Sequence, residues 1–153
     1  MRRREKEILD RGEIDEILID ALVCRIAFAR DNDPYLVPLF FGYDGTCIYF
    51  HTARRGKKLD FIAANSKVCF EVERNVQVVQ KESDACAWSA CFESVIGNGT
   101  VSELFTEEKK VYGLNQIMLH YSGKTWRFDP SALGDMKVWC VKIETLTGKR
   151  SEA

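Results

Sequence analysis

The sequence predicts a mainly β fold, an antiparallel barrel or sandwich with helices packed on its outside. Three observations carry this. Apolar residues recur at helical spacing over 4–22 and again over 106–121. From Val23 onward the period changes to two, and several such runs follow one another. Asp44-Gly45 between two of them is a hairpin signal, which excludes a simple run of βαβ units.

The elements follow in order. Ile8, Leu9, Ile14, Ile17, Leu18, Ala21 and Leu22 give the first helical stretch, with Gly12 dividing a short helix from a second that starts near Glu13. Asp10 is a plausible cap between them. Cys24 to Arg30 alternates as a half-buried strand, and Asp31-Asn32-Asp33-Pro34 is a turn. Tyr35 to Tyr43 reads as one strand. Pro38 within it points to a sheet edge, a bulge or a place where a ligand replaces a ladder bond. Cys47 to Thr52 is the next strand, antiparallel to it. A short helix opens across Ala53–Lys58 and runs to about Ala64. Val68 to Val72 is a strand, and 74–87 reads as loop or edge strand. Phe92 to Leu104 is a long strand in which Gly97-Asn98-Gly99 signals a bulge or close backbone approach. Thr106 caps the next helix, which Ser122-Gly123 ends. Val138 to Ile143 is the last strand, and 147–150 reads as a polar tail.

Bulk properties narrow the class. The chain has 153 residues, 46% of them hydrophobic, and reads as one domain over 1–153. It comprises N-terminal helices over 1–22, the barrel, and a helix over 106–121 packed on it. A chain of this size buries roughly 70% of its unfolded surface and needs no staples. The net charge of -1 argues against nucleic-acid binding. No apolar run approaches the ~20 residues of a membrane span. The basic start, Met1 to Lys6, has no apolar segment after it, so no secretory signal is expected. The six cysteines show no zinc spacing and read as reduced, buried small hydrophobes. A cytoplasmic location and no metal site are the corresponding expectations.

The stretch from Ile48 to Leu59 is the most informative chemically. A strand ends in His51-Thr52, a basic loop follows, and a helix begins. Thr52 can donate to a phosphate oxygen, Lys57 and Lys58 add charge, and the helix start offers free N–H groups. The same pattern also suits an ordinary solvated face. His51 sits directly before this loop, either as a polar residue on an open sheet face or as a donor or acid beside a cofactor. His120 reads as surface or interface packing. Trp126, in a loop with Lys124 and Arg127, suits stacking on a planar ring or core packing. Trp139 alternates in a strand and reads as core or subunit interface. The sequence has neither Gly-x-x-x-x-Gly-Lys-Ser/Thr nor Gly-x-Gly-x-x-Gly, and no serine elbow. Chemistry on this chain would therefore come from a cofactor.

Taken in order, Pro38 to Gly45, Ile48 to Ala53, Gly56-Lys57-Lys58 and Val68 to Val72 resemble the flavin-binding split-barrel superfamily, the pyridoxamine-5′-phosphate-oxidase-like group. Ser94 to Val101 and Tyr121 to Trp126 are similar to its 5-nitroimidazole-resistance branch. The resemblance implies a six-stranded split antiparallel β-barrel and a homodimer with FMN at the subunit interface. It implies that Pro38 and Leu39 run along the flavin ring, and that His51, Thr52 and Ala53 lie by the ring and phosphate. Lys57 and Lys58 would hold the phosphate. The backbone of Ser94, Val95, Ile96 and Gly97 would approach the ring, and Trp126 would reach the partner's flavin. Vitamin-B6 oxidases end in an Arg-Leu-x-Pro-type segment, which the tail from Thr147 lacks, so that activity is not expected. The implied function is an FMN-dependent oxidoreductase that passes electrons from a reduced donor to small nitro or aromatic compounds, with His51 orienting substrate or supplying a proton. The alternative is a non-enzymatic flavin- or haem-binding protein, with His51 or His120 as an iron ligand.

Overall fold

In the computed structural model, residues 4–82 and 84–152 are described. The strands are β1 (Glu7–Ile8), β2 (Cys24–Arg30), β3 (Asp33–Leu39), β4 (Gly42–Tyr43), β5 (Cys47–Ala53), β6 (Lys67–Val79), β7 (Ser89–Glu103) and β8 (Met136–Ser151). The helices are α1 (Arg11–Asp20), α2 (Lys57–Ala64), α3 (Glu107–Ser122) and α4 (Pro130–Gly134). All strands join one antiparallel sheet in the order β3-β2-β6-β7-β8-β5-β4, with β1 on β8. The six long strands match the expected split barrel, and the two extra ones are the two-residue β1 and β4.

Several expectations are corrected in detail. The single strand over Tyr35 to Tyr43 is broken at Phe40-Phe41, because the Phe41 N–H leaves the ladder and donates to the Tyr121 hydroxyl at 3.1 Å. β5 therefore pairs with β4 and β8, not with β3. The polar tail is no tail: Gly148 faces Ile8 and Ile14, and β8 runs to a buried Ser151. Segment 74–87 agrees with its expectation as loop or edge strand: β6 runs on to Val79 paired with β7 alone, and a 3-10 turn follows at Ala85–Ala87, with Ser83 outside the described residues. The first short helix is only a 3-10 turn at Arg4–Lys6, and residues 1–3 of that expectation lie outside the described residues. Asp10 caps α1 as expected, accepting from the Glu13 N–H, although the helix starts at Arg11. Only Cys24 among the cysteines is buried; Cys86 is exposed and the other four are half-buried on strands. Alternation places those four on faces that the core does not cover fully.

The interior forms two layers. Ile26, Phe28, Phe50, Phe70, Val95 and Trp139 fill the barrel with α1 closing one end. On the outer face Tyr49 and Val138 meet Leu114 and Ile117 of α3. The expected bulge is present, as a register shift between Asn98 and Gly99 against β8. α3 sits so close to β4 that a Cβ on Gly42 would lie 2.3 Å from the Gln116 backbone. His120 secures the far end of α3: its Nε2–H donates to the Ala21 carbonyl at 2.7 Å, and its ring packs against Phe41 at 4.4 Å. Among the described residues no helix is long and apolar enough to cross a membrane.

Two outcomes follow from this packing. Gly42→Ala must push α3 off the sheet and should cost about 1–3 kcal/mol in urea melts. Gly134→Ala, where a Cβ meets nothing within 4 Å, should stay within about 0.5 kcal/mol of the parent. Burial depresses the His120 imidazole below 6.5, outweighing the raising effect of its bond to Ala21. The unfolded chain thus takes up that proton first. The stabilisation is complete above pH 6.5 and is lost as pH falls through the depressed folded value. His120→Gln keeps a donor for Ala21 and should flatten the decline in melting temperature between about pH 7 and pH 5. An unchanged decline in the variant would remove His120 as its source.

Candidate functional site

The two ends of the sheet converge on the first turn of α2. Among the described residues β3 pairs only with β2, and β5 beyond Ile48 and Tyr49 has no strand on its β4 side. Lys57 Nζ lies 4.9 Å from the ring centre of Tyr35 on β3, while Lys58 Nζ lies 5.7 Å from that of Phe50 on β5. Phe61 of α2 also packs on Tyr35, with ring centres 5.2 Å apart. Alternation then sorts β5. Ile48 and Phe50 point into the barrel, so Thr52 sits at its mouth, and His51 faces outward.

Local conformation leaves this end of α2 bare. Gly56 precedes the helix at φ 142°, where an L side chain would be strained, and the space above it is open. No side chain caps the helix, so its first N–H groups face outward without a side-chain acceptor. Around them stand Arg54, Arg55, Lys57 and Lys58. None makes an ion pair among the described residues; Arg11, Arg25, Lys67, Arg74, Lys137 and Arg150 do, while Arg30, Lys81, Lys109, Lys124, Arg127 and Lys142 do not, so what sets this loop apart is four such cations at one helix start. Asp60, in the same first turn, pairs with none of them. Lys58 is half-buried, and the loss of water lowers its pKa from the ordinary ammonium value. A half-desolvated ammonium without a counterion is a site that an anion would relieve.

Thr52 and His51 complete the cluster. The Thr52 hydroxyl accepts from Trp139 Nε1–H at 3.0 Å and donates to the Ala53 carbonyl at 2.9 Å. His51 is open to solvent on one side. Partial desolvation by its packed side, and then repulsion from Lys58, lower its imidazole pKa. His51 is therefore a neutral hydrogen-bonding group at neutral pH. A cavity of about 570 Å³ opens beside the same loop, lined by Arg54, Arg55, Gly56, Ile62, Phe105 and Trp139. Its walls also carry Asp60, Glu103 and the Lys137 paired with Glu103; a cavity of similar size, about 590 Å³, lies along β1, away from this loop, with Arg150 already paired.

The remaining expected residues lie elsewhere in the chain. Pro38 and Leu39 are on the open edge of β3. Ser94, Val95, Ile96 and Gly97 belong to β7, paired with Glu73 to Phe70 and with Lys149 to Leu146. Val95 is core, whereas Ile96 is 47% exposed. A Cβ on Gly97 would lie 2.2 Å from the Phe70 ring, so this glycine answers to core packing. Trp126 is 46% exposed; its Nε1–H donates to Ser122 and Lys124 lies over its ring at 4.7 Å. Sequence reasoning missed Trp139 as the partner of Thr52. The only signal was strand alternation, and the Phe50–Trp139 pairing that sets their distance is long-range.

Similarity to known proteins agrees with this architecture. Residues 10–150 match the family model described as pyridoxamine 5′-phosphate oxidase. An uncharacterized protein of Rhizobium meliloti (strain 1021) is 21% identical over 150 residues, covering 93% of each chain. The crystal structure of a candidate 5-nitroimidazole antibiotic resistance protein from Bacteroides thetaiotaomicron VPI-5482 superposes with a TM-score of 0.83. It is 28% identical and covers 95% of this chain and 90% of its own. An FAD- and haem-binding protein from Mycobacterium smegmatis gives a TM-score of 0.84 at 19% identity, covering 97% of this chain and 74% of its own. With six long strands, an open split and a match along nearly its whole length, the chain belongs to the pyridoxamine 5′-phosphate oxidase family.

Proposed function

We propose that this chain is an FMN-binding oxidoreductase, working as a homodimer, that reduces small nitro or aromatic compounds with electrons from a reduced donor. The observation that carries this is the set of four unpaired cations around the uncapped start of α2, between two open strand edges. The donor set suits a phosphate dianion joined to a planar ring. The first N–H groups of α2, the Thr52 hydroxyl and the Lys57 and Lys58 ammonium groups supply charge-assisted bonds to phosphate oxygens. The edges holding Pro38, Leu39, His51 and Ala53 offer backbone and flat apolar surface to a ring. Bound FMN supplies a ring that accepts an electron pair and passes electrons on to a substrate. The protein's own contribution is to hold that ring, exclude water from one face and present His51 beside it. A neutral His51 donates a hydrogen bond to a polar substrate group, and its proton-delivering form grows as pH falls.

Support for the redox reading comes from the 28% identical Bacteroides protein named for nitroimidazole resistance and from the flavin named in the Mycobacterium structure. The dimer accounts for Ile96 and Trp126, both about half exposed and apart from the loop: a second chain would bring them to the ring, while Val95 and Gly97 stay in the core. Exposed Leu36, Phe40 and Ile96 are then covered by that chain. A haem carrier draws less support, since His120 is held by Ala21 and packed between Phe41 and Tyr121.

Purified protein should show flavin absorption bands and release FMN on heating. A colourless protein that also refuses added FMN would end this reading, and a sharp Soret band would favour haem. Lys57→Ala with Lys58→Ala should weaken FMN binding on the order of 100-fold in a fluorescence titration, because two charge-assisted contacts are lost. His51→Ala should leave FMN affinity near the parent value and lower nitroreduction about 100-fold or more if the imidazole moves a proton in the slow step. Equal turnover would remove His51 from the chemistry.

A further inference from the structure

We propose that Trp139 is a positioning residue that sets the Thr52 hydroxyl as a donor to the bound phosphate; this rests on the flavin reading above. Trp139 is 6% exposed at the barrel mouth, on β8, directly across the ladder from Phe50. Its indole lies nearly parallel to the Phe50 ring at 6.4 Å, which fixes the ring plane. Its Nε1–H then reaches diagonally to Thr52 Oγ1 at 3.0 Å. An indole N–H is a donor only, so this contact takes a lone pair of Thr52 and leaves the hydroxyl proton to be given away.

Without an anion that proton goes to the adjacent Ala53 carbonyl, 2.9 Å away. A phosphate held at the start of α2 would offer that proton a second acceptor, which rotation about Cβ–Oγ1 lets the hydroxyl choose. A chain of donors from indole to hydroxyl to phosphate oxygen polarises the hydroxyl and strengthens its bond to the anion. Lys137 does not compete for this role. Its ammonium lies 5.6 Å from the Trp139 ring centre but is bound to Glu103 at 2.7 Å. The neighbouring cation is thereby neutralised, and the orientation of Thr52 is left to the indole.

The arrangement acts on the phosphate and not on the ring, so FMN and riboflavin separate it from mere packing. Trp139→Phe keeps an aromatic ring against Phe50 and removes the N–H. FMN should bind about three- to tenfold more weakly, while riboflavin should change by less than about twofold. In a Thr52→Val background, Trp139→Phe should cost no further preference for FMN. Equal weakening of both flavins would reduce Trp139 to packing and overturn the inference, as would an unchanged FMN preference. If Trp139→Phe fails to fold, the parent protein answers the question by nitrogen-15 NMR. It has three tryptophans, so the Trp139 indole signal can be assigned with Trp88→Phe and Trp126→Phe. That signal should move on adding FMN and much less with riboflavin; the same response to both would overturn the inference. A parent protein that binds neither flavin removes the flavin reading itself, an outcome distinct from one that binds FMN with no part for Trp139.

Discussion

Everything in this molecule hangs on β8. Its sixteen residues pair along one side with β7 from Phe92 to Glu103. Along the other they pair first with β5 and then with β1. Its two faces serve different layers. Val138 and Cys140 turn toward α3, while Trp139 and Val141 enter the barrel. The same strand therefore fixes the height of α3, the filling of the barrel mouth and the hydroxyl of Thr52. Near its end, Arg150 bonds Glu93 of β7 and Glu13 of α1, closing the far end of the barrel with charge.

Two treatments of charge stand side by side. Around Glu93 the protein matches every group: burial alone would raise this carboxyl, but bonds from Arg74 and Arg150 outweigh that and hold it below its ordinary value. Charge there is desolvated and paired, which makes the cluster costly to break and structurally specific. At the start of α2 the reverse holds. Cations crowd a helix end whose dipole already favours anions. Like charges repel there and Lys58 has lost part of its water, against which stand only the stacking of Lys57 on Tyr35 and Phe61 and of Lys58 on Phe50. This crowding of cations at one helix start is the feature on which the flavin reading proposed above rests.

The sequence was legible where local chemistry decides structure. The Asp10 and Thr106 caps and the Asp44-Gly45 turn depend on neighbours a few residues away, and each is found; the bulge near Gly99 was signalled by its glycines, although its partner is the distant β8. The basic loop was legible for the same reason, since a strand end, a glycine and a helix start are contiguous. What was hidden depends on distant partners. The break at Phe40-Phe41 needs Tyr121, eighty residues later, to receive an amide. The apparent tail became a central strand because Gly148 admits Ile8 and Ile14 against its backbone. Polar residues conceal this strand: Arg150 is neutralised by Glu13 and Glu93, and Lys149 lies over the Phe92 ring. Trp139 was visible as an inward residue, but its hydrogen bond exists only once β5 and β8 are in register.

The open edge of β3 shows how a sheet can end without inviting another strand. Pro34, Leu36 and Pro38 share one parity, and both prolines face the edge that β2 does not use. Neither carries an N–H, so this edge offers one outward N–H, at Leu36, flanked by two rings. A continuing ladder needs donors at every second residue, and here two of three are missing. Strand addition is thus suppressed, and an exposed apolar edge need not aggregate. What remains is a row of carbonyl oxygens beside the exposed rings of Pro34 and Pro38, while Leu39 turns to the other face and packs on the core. Such a surface suits the side of a planar ring better than another backbone. On the flavin reading proposed above, this donor-poor edge is the one along which a ring anchored at the α2 loop would lie.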